Sequence, residues 1–176
     1  MATTKWVLEP SHSELQFKVR HMMISNVTGH FKTFNGTVET EGSDLTTANI
    51  HFNVDTNSVT TNNEQRDGHL MSPDFFDTAN HPVITFESTG FDKKNNEEYK
   101  LNGNLNIKGT THPVALDVEF GGIGKDLRGN TRAGFTIEGK LNRKDYGLVW
   151  SALTETGGLV VGDEVKISGN MEFVKA

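Results

Sequence analysis

Apolar residues recur at every second position in seven stretches of the chain. Between 14 and 20, Leu15, Phe17 and Val19 alternate with Glu14, Gln16, Lys18 and Arg20. Between 114 and 120, Val114, Leu116, Val118 and Phe120 alternate with Ala115, Asp117 and Glu119. The same alternation covers 49–55, 84–87, 101–108, 135–141 and 165–173. Successive side chains of a strand point to opposite faces, so each stretch predicts a strand with one buried and one wet face. Residues 5–9 and 29–39 add two further candidates.

Turn chemistry separates these stretches. Polar loops are expected at 94–97 and 109–113, a glycine-rich hairpin loop at 121–130, and turns at Gly157-Gly158 and Gly162-Asp163. His81-Pro82 and His112-Pro113 each stand where a strand is about to begin, a position that tolerates a missing N–H. Residues 62–77 break the alternation. Asn62 is a candidate N-cap with Gln65 at the capping-box position, and Ser72-Pro73-Asp74 reads as a second helix start. One or two short helices, or turns, are therefore expected among the strands.

About eight antiparallel strands in one domain spanning 1–176 leave a sandwich or a closed barrel. The predicted class is all-β. Phe is abundant (11 residues) and recurs on the inward faces, with Gly103, Gly139 and Gly169 beside it. Large side chains next to glycines predict a barrel interior with room at some levels, and eight strands enclose enough space for one small ligand. Alternation puts Phe17, Val19, Phe52 and Phe86 on this inner face. Leu105, Leu116, Phe135 and Ile137 join them, while Leu70 and Phe76 are placed to close one end.

Charge and cysteine usage narrow the function. Acids outnumber bases 23 to 17, a net charge of −6, which argues against nucleic acid and anionic membrane surfaces as main partners. Without cysteine there is no disulfide, thiol nucleophile or Cys-based metal site. No apolar run approaches the ~20 residues of a spanning helix. The first residues, MATTKWVLEP, hold no apolar leader, so a cytoplasmic location is expected.

Motifs of common catalytic folds are missing: there is no GxSxG, HExxH, GxxxxGK[ST] or GxGxxG. The seven histidines show no ligand-type spacing, so no metal and no cofactor is expected. His21 and His69 stand out because each ends a segment with apolar neighbours. Arg66, Asp67 and His69 form the densest polar cluster. They read either as donors to a ligand head group at a barrel mouth or as an Arg66–Asp67 clamp that fixes the helix, the clamp being the plainer reading. Residues 142–147 read as a turn, with Asp145 capping and Gly147 at positive φ. Phe75-Phe76 is equally an end-cap or pocket lining, and Trp6 and Trp150 are expected near strand ends.

Several of these residues form an ordered pattern. Trp6, His12-Ser13, Phe17 and His21-Met22 come first, then Gly29, Phe31, Phe34 and Gly36. Asn62, Arg66-Asp67, His69-Leu70, Phe75-Phe76, Pro82 and Phe86 follow. Gly103, Leu105, Ile107, Gly109 and Thr111 lead to Asn142-Arg143, Tyr146-Gly147 and Gly162-Asp163. This pattern resembles the YceI-like, polyisoprenoid-binding family over nearly the whole chain, most specifically from Arg66 to Phe76. The resemblance implies a lipocalin-like barrel that holds a polyisoprenoid or similar long-chain amphiphile, without enzymatic activity. Many family members carry a secretory signal, which is not seen here.

Three readings stay open at this level. The first is a lipid-binding module, with His21, Arg66 and His69 as head-group contacts. The second is an enzyme using those same three side chains as acid, base or charge stabiliser. The third is a stress-responsive or protein-interaction barrel with a filled core. An exposed strand edge or apolar mouth would support a homodimer.

Overall fold

The computed structural model describes residues 2–150 and 161–176. The glycine pair at 157–158 lies outside the described residues. The strands are β1 Thr3–Leu8, β2 Glu14–His21, β3 Ser25–Phe31, β4 Phe34–Glu41, β5 Asp44–Asp55 and β6 Val59–Thr60. The helix α1, Glu64–Met71, precedes β7 Val83–Lys93, β8 Glu98–Ile107, β9 Thr110–Lys125, β10 Thr131–Asn142 and β11 Val161–Lys175.

These segments build eight wall strands. A 3-10 turn at Pro10–His12 interrupts one wall strand to give β1 and β2, and Lys32-Thr33 likewise divides β3 from β4. The turn Thr56–Ser58 divides β5 from β6. Each wall strand then pairs antiparallel with its neighbours in sequence. β11 closes the ring by pairing with both halves of the first strand, Leu8↔Phe173 on β1 and Leu15↔Gly169 on β2. The result is the expected closed, lipocalin-like β-barrel. Closure removes the free sheet edge on which dimerisation by strand addition would depend.

The barrel has two unlike ends. The β1–β4 pairing, the C-terminus and the turns at 42–43, 94–97 and 126–130 lie at the base. Trp6, Leu8, Phe173, Phe91 and Tyr99 are buried there, the last two stacked at 4.6 Å. Outside the base, Arg132 bridges Asp126 at 2.8 Å and Glu172 at 2.9 Å, tying the β9–β10 hairpin to β11. The other end carries α1, the β2–β3 hairpin and the 3-10 turn Arg143–Tyr146.

Local details differ from expectation. The N-cap of α1 is Asn63, whose side-chain Oδ1 accepts from the Arg66 N–H; Asn62 sits one residue earlier at φ 62°. Ser72-Pro73-Asp74 forms turns instead of a second helix, with Ser72 ending α1. The glycine-rich 121–125 segment continues β9, and the hairpin turn shrinks to Asp126–Asn130. Gly122, at φ 112°, supplies the backbone that the register shift against Gly134 and Phe135 needs. Pro113 lies inside β9, opposite Asn104, instead of ahead of the strand. Asn142, rather than Asp145, caps the 3-10 turn, while Gly147 takes φ 78° as its position demands.

The inward glycines also act differently from the expectation that they leave empty space. A Cβ on Gly103 would lie 2.4 Å from the Phe86 ring, and one on Gly139 would lie 2.3 Å from Leu116. Gly29 sits under Phe17 and Gly36 under Phe52 in the same way. Large side chains lie flat over glycines of the neighbouring strand, within the thickness of the wall. Room is thereby left along the barrel axis rather than above the glycines.

Candidate ligand-binding site

The barrel encloses a cavity of about 410 Å³. Its wall is overwhelmingly apolar, running from Val38, Leu45 and Met171 near the base to Leu70 of α1 and Phe76 just after it. Residues that face inward in a filled core are fully buried. Here Phe17, Val19, Phe52, Leu116, Phe135 and Ile137 face inward yet are only half-buried. They are accessible from the inside, across an open lumen. Phe86 and Leu105 line the same cavity from better-packed positions.

Polar lining gathers at the helix end. His21 closes β2 and is exposed, while Arg66, His69, Thr61 and Arg143 complete a rim with Arg20. Every wall and rim position expected from the sequence therefore lines one cavity.

The rim is organised by short-range hydrogen bonds. Thr61 is buried and serves as an anchor: Arg66 donates from Nε to its hydroxyl and from Nη2 to its carbonyl, both at 2.7 Å. The Thr61 hydroxyl donates in turn to Asp67 at 2.6 Å, and its N–H reaches the same carboxylate at 2.7 Å. The expected Arg66–Asp67 clamp is thus replaced by two separate grips on Thr61. Arg66 fixes α1 and still lines the cavity mouth.

His69 meets the Asp74 carboxylate at 2.9 Å through Nε2. Its ring stands edge-on to Trp150 at 4.7 Å and to Phe75 at 5.0 Å. Phe75 and Phe76 both cap the end and line the lumen, since Phe76 also packs against Phe31 at 5.8 Å. Trp150 lines the cavity; Trp6 packs the base instead.

Arg143 is the rim residue that sequence reasoning placed in a simple turn. It is 3% exposed and donates to the carbonyls of Gly162, Leu148, Trp150 and Val161. Burial lowers its pKa, and Asp163 at 3.7 Å partly offsets this. The signal was present: the inward period of Ile137, Gly139 and Leu141 continues to 143. Beside it, burial and the Asp145 charge push the Tyr146 hydroxyl up to about 12. That hydroxyl has no hydrogen-bond partner among the described residues.

A barrel with this lining meets known proteins at this point. The sequence model of the YceI-like domain matches residues 6–173. The chain belongs to the YceI-like family. A UPF0312 protein of Staphylococcus epidermidis is 38% identical over 171 residues, covering 97% of each chain. A YCEI protein of Campylobacter jejuni, 30% identical, superposes with a TM-score of 0.77 over 89% of this chain and 90% of that one. A polyisoprenoid binding domain from Saccharophagus degradans shares the fold at a TM-score of 0.66 and 16% identity, over 97% and 98% of the two chains. In this YceI-like chain the inner face is apolar and the outer face carries Glu, Lys, Asn and Thr. That is the reverse of a membrane-spanning barrel, whose lipid-facing side is apolar. Among the described residues, no helix is long and apolar enough to cross a membrane.

Proposed function

We infer that this YceI-like barrel binds a polyisoprenoid or similar long-chain amphiphile, tail in the lumen and head group at the Arg66–His69–His21 rim, without catalysis. The half-buried state of inward-facing apolar side chains around a 410 Å³ cavity carries the reading. The family and the polyisoprenoid binding neighbour support it. A tail segment of about a dozen carbons sets the scale for a lumen of this size. Burying them yields about 10 kcal/mol gross at ~0.8 kcal/mol per CH₂. Association and ordering costs remove several kcal/mol. Apolar contacts are nondirectional, so lumen length and the rim set selectivity.

The site also favours binding over turnover. Thr61 supplies the one aliphatic hydroxyl lining the cavity among the described residues, and it is held by both Arg66 and Asp67. It is therefore poorly placed to act as a nucleophile. Solvent extraction of the purified protein followed by mass spectrometry, then titration of the emptied barrel with a long-chain isoprenoid alcohol, tests the reading. One amphiphile per barrel, released unchanged, is expected. A barrel that yields no lipid and takes up none overturns it.

A further inference from the structure

The β2–β3 hairpin tip is unlike the other tips of the barrel. Met22, Met23 and Ile24 are contiguous and exposed, Ile24 at 77%. The Ile24 N–H bonds the His21 carbonyl at 3.1 Å, with Met22 at φ 53° and Met23 at φ 60°. Two central residues at positive φ define a type I′ turn, which normally takes Asn-Gly. The β8–β9 turn of the same kind uses Lys108-Gly109, with glycine where the backbone asks for it. At the β2–β3 tip two large apolar side chains occupy left-handed positions that favour small or polar residues. Such strain gathers where a surface has a task beyond folding. The base hairpin, by contrast, exposes a lone Leu127 between Asp126 and Arg128.

A second feature lies directly below this tip. Lys18 on β2 faces Lys166 on β11, and Lys166 faces Lys140 on β10. All three are exposed, and Arg20 extends the row toward the tip. Like charges directly opposite each other in a sheet are destabilising. Lys140 reaches Glu164 only at 4.0 Å, and Lys18 and Lys166 form no ion pair among the described residues. On a chain of net charge −6, with Glu164 beside it and Glu138 below, this row and Arg20 make a local cationic stripe rather than a basic face. At ~3.3 Å per residue, Lys18 stands about 13 Å behind Met22. An apolar element buried ~5–10 Å into the interface would bring those lysines to the lipid phosphates.

The tip is also continuous with the cavity mouth. His21 at its base lines the lumen and pairs with Val161, whose carbonyl Arg143 holds. We propose that Met22, Met23 and Ile24 dock the barrel mouth on an anionic lipid bilayer, with Arg20 and the Lys18–Lys166–Lys140 row at head-group level, so that an amphiphile passes between membrane and lumen without crossing water. This rests on the lipid-binding reading for its purpose, though not for the docking itself.

The test uses the full chain and vesicles of phosphatidylcholine with or without phosphatidylglycerol. Wild type sediments with the anionic vesicles. Ile24→Asp and Met23→Asp weaken that partition at least tenfold. Lys18→Gln with Lys166→Gln weakens it about fivefold per lysine and flattens its salt dependence. Transfer of a fluorescent isoprenoid from vesicles slows in the tip variants, while their affinity for the same probe in detergent micelles is unchanged. Wild type that ignores anionic vesicles, or tip variants that partition like wild type, overturns the docking, including the case where the tip instead serves a protein partner. Vesicle binding without any probe binding in micelles removes the lipid-cargo reading and leaves the docking standing.

Discussion

Phe34 on β4 and Phe52 on β5 are diagonal neighbours, opposite Val54 and Gly36, with rings stacked at 5.7 Å and 21° between planes, yet they occupy different environments. Phe34 is 5% exposed and lies outside the cavity lining; Phe52 is half-buried and lines the lumen over Gly36. Cutting Phe34 to Ala removes a fully packed ring and leaves a closed void, which costs about 3–5 kcal/mol. Cutting Phe52 to Ala enlarges a space that is already open, so only the transfer of a half-buried ring is lost, about 1–1.5 kcal/mol. At roughly 2–4 °C per kcal/mol for a domain of this size, Phe52→Ala lowers the thermal midpoint by ~2–6 °C and Phe34→Ala by ~6–20 °C. Affinity should move the other way. Phe52→Ala weakens binding of a long-chain isoprenoid about tenfold, the equivalent of ~1.4 kcal/mol of lost contact. Phe34→Ala, where it stays folded, binds almost as wild type. Calorimetric melting and ligand titration on the same samples read both quantities. A Phe52 variant that is as unstable as the Phe34 variant and binds undiminished would refute the open lumen.

Two further tests concern titrating groups. The Arg132 guanidinium, with the Asn130 and Arg128 backbone, holds the Asp126 carboxyl well below the usual carboxylate range. A depressed folded-state pKa adds stability that is complete above the ordinary value near 4 and lost as pH falls toward the folded one. The gap in thermal midpoint between wild type and Asp126→Asn should therefore be constant from neutral pH to about 4 and shrink below it; a gap unchanged at pH 2 contradicts the pairing. Tyr146 shows the opposite sign. Its pKa rises to about 12, so the neutral form is favoured on folding and that stability is lost as pH climbs from ~10 toward 12. Tyr146→Phe deletes an unpartnered buried hydroxyl at little cost, and its midpoint should fall less than that of wild type over that alkaline range.

The sequence carried the wall well because period-two alternation is local and each strand has one dry face. It carried the strand count because hairpin neighbours pair in chain order. It did not carry the mouth with the same resolution. Arg66 and Asp67 are adjacent and oppositely charged, so pairing them was the local solution, but both turn to Thr61, several residues away. Arg143 looked like a turn residue because its four carbonyl acceptors come from two segments, 148–150 and 161–162, that only the closed barrel brings together. The glycines were legible as inward positions, but which ring lies on each depends on register across strands, which alternation within one strand cannot fix.

An unfilled barrel of this size gives up packing that a filled one would have, and the structure indicates where the balance is restored. Every wall strand is paired on both sides apart from the two-residue β6 segment, so little edge is lost to water. The base is packed by Trp6, Leu8, Phe91, Tyr99 and Phe173. The mouth, where the apolar interior meets solvent, adds directional bonds at Thr61 and Arg143 to the packing of His69, Phe75 and Trp150. Closed wall, packed base and hydrogen-bonded rim together frame the lumen. Phe17, Phe52, Phe86 and Leu116, which lie over Gly29, Gly36, Gly103 and Gly139, line this lumen. The long-chain ligand proposed above would gain contact with this apolar lining at each added CH₂, about 0.8 kcal/mol apiece.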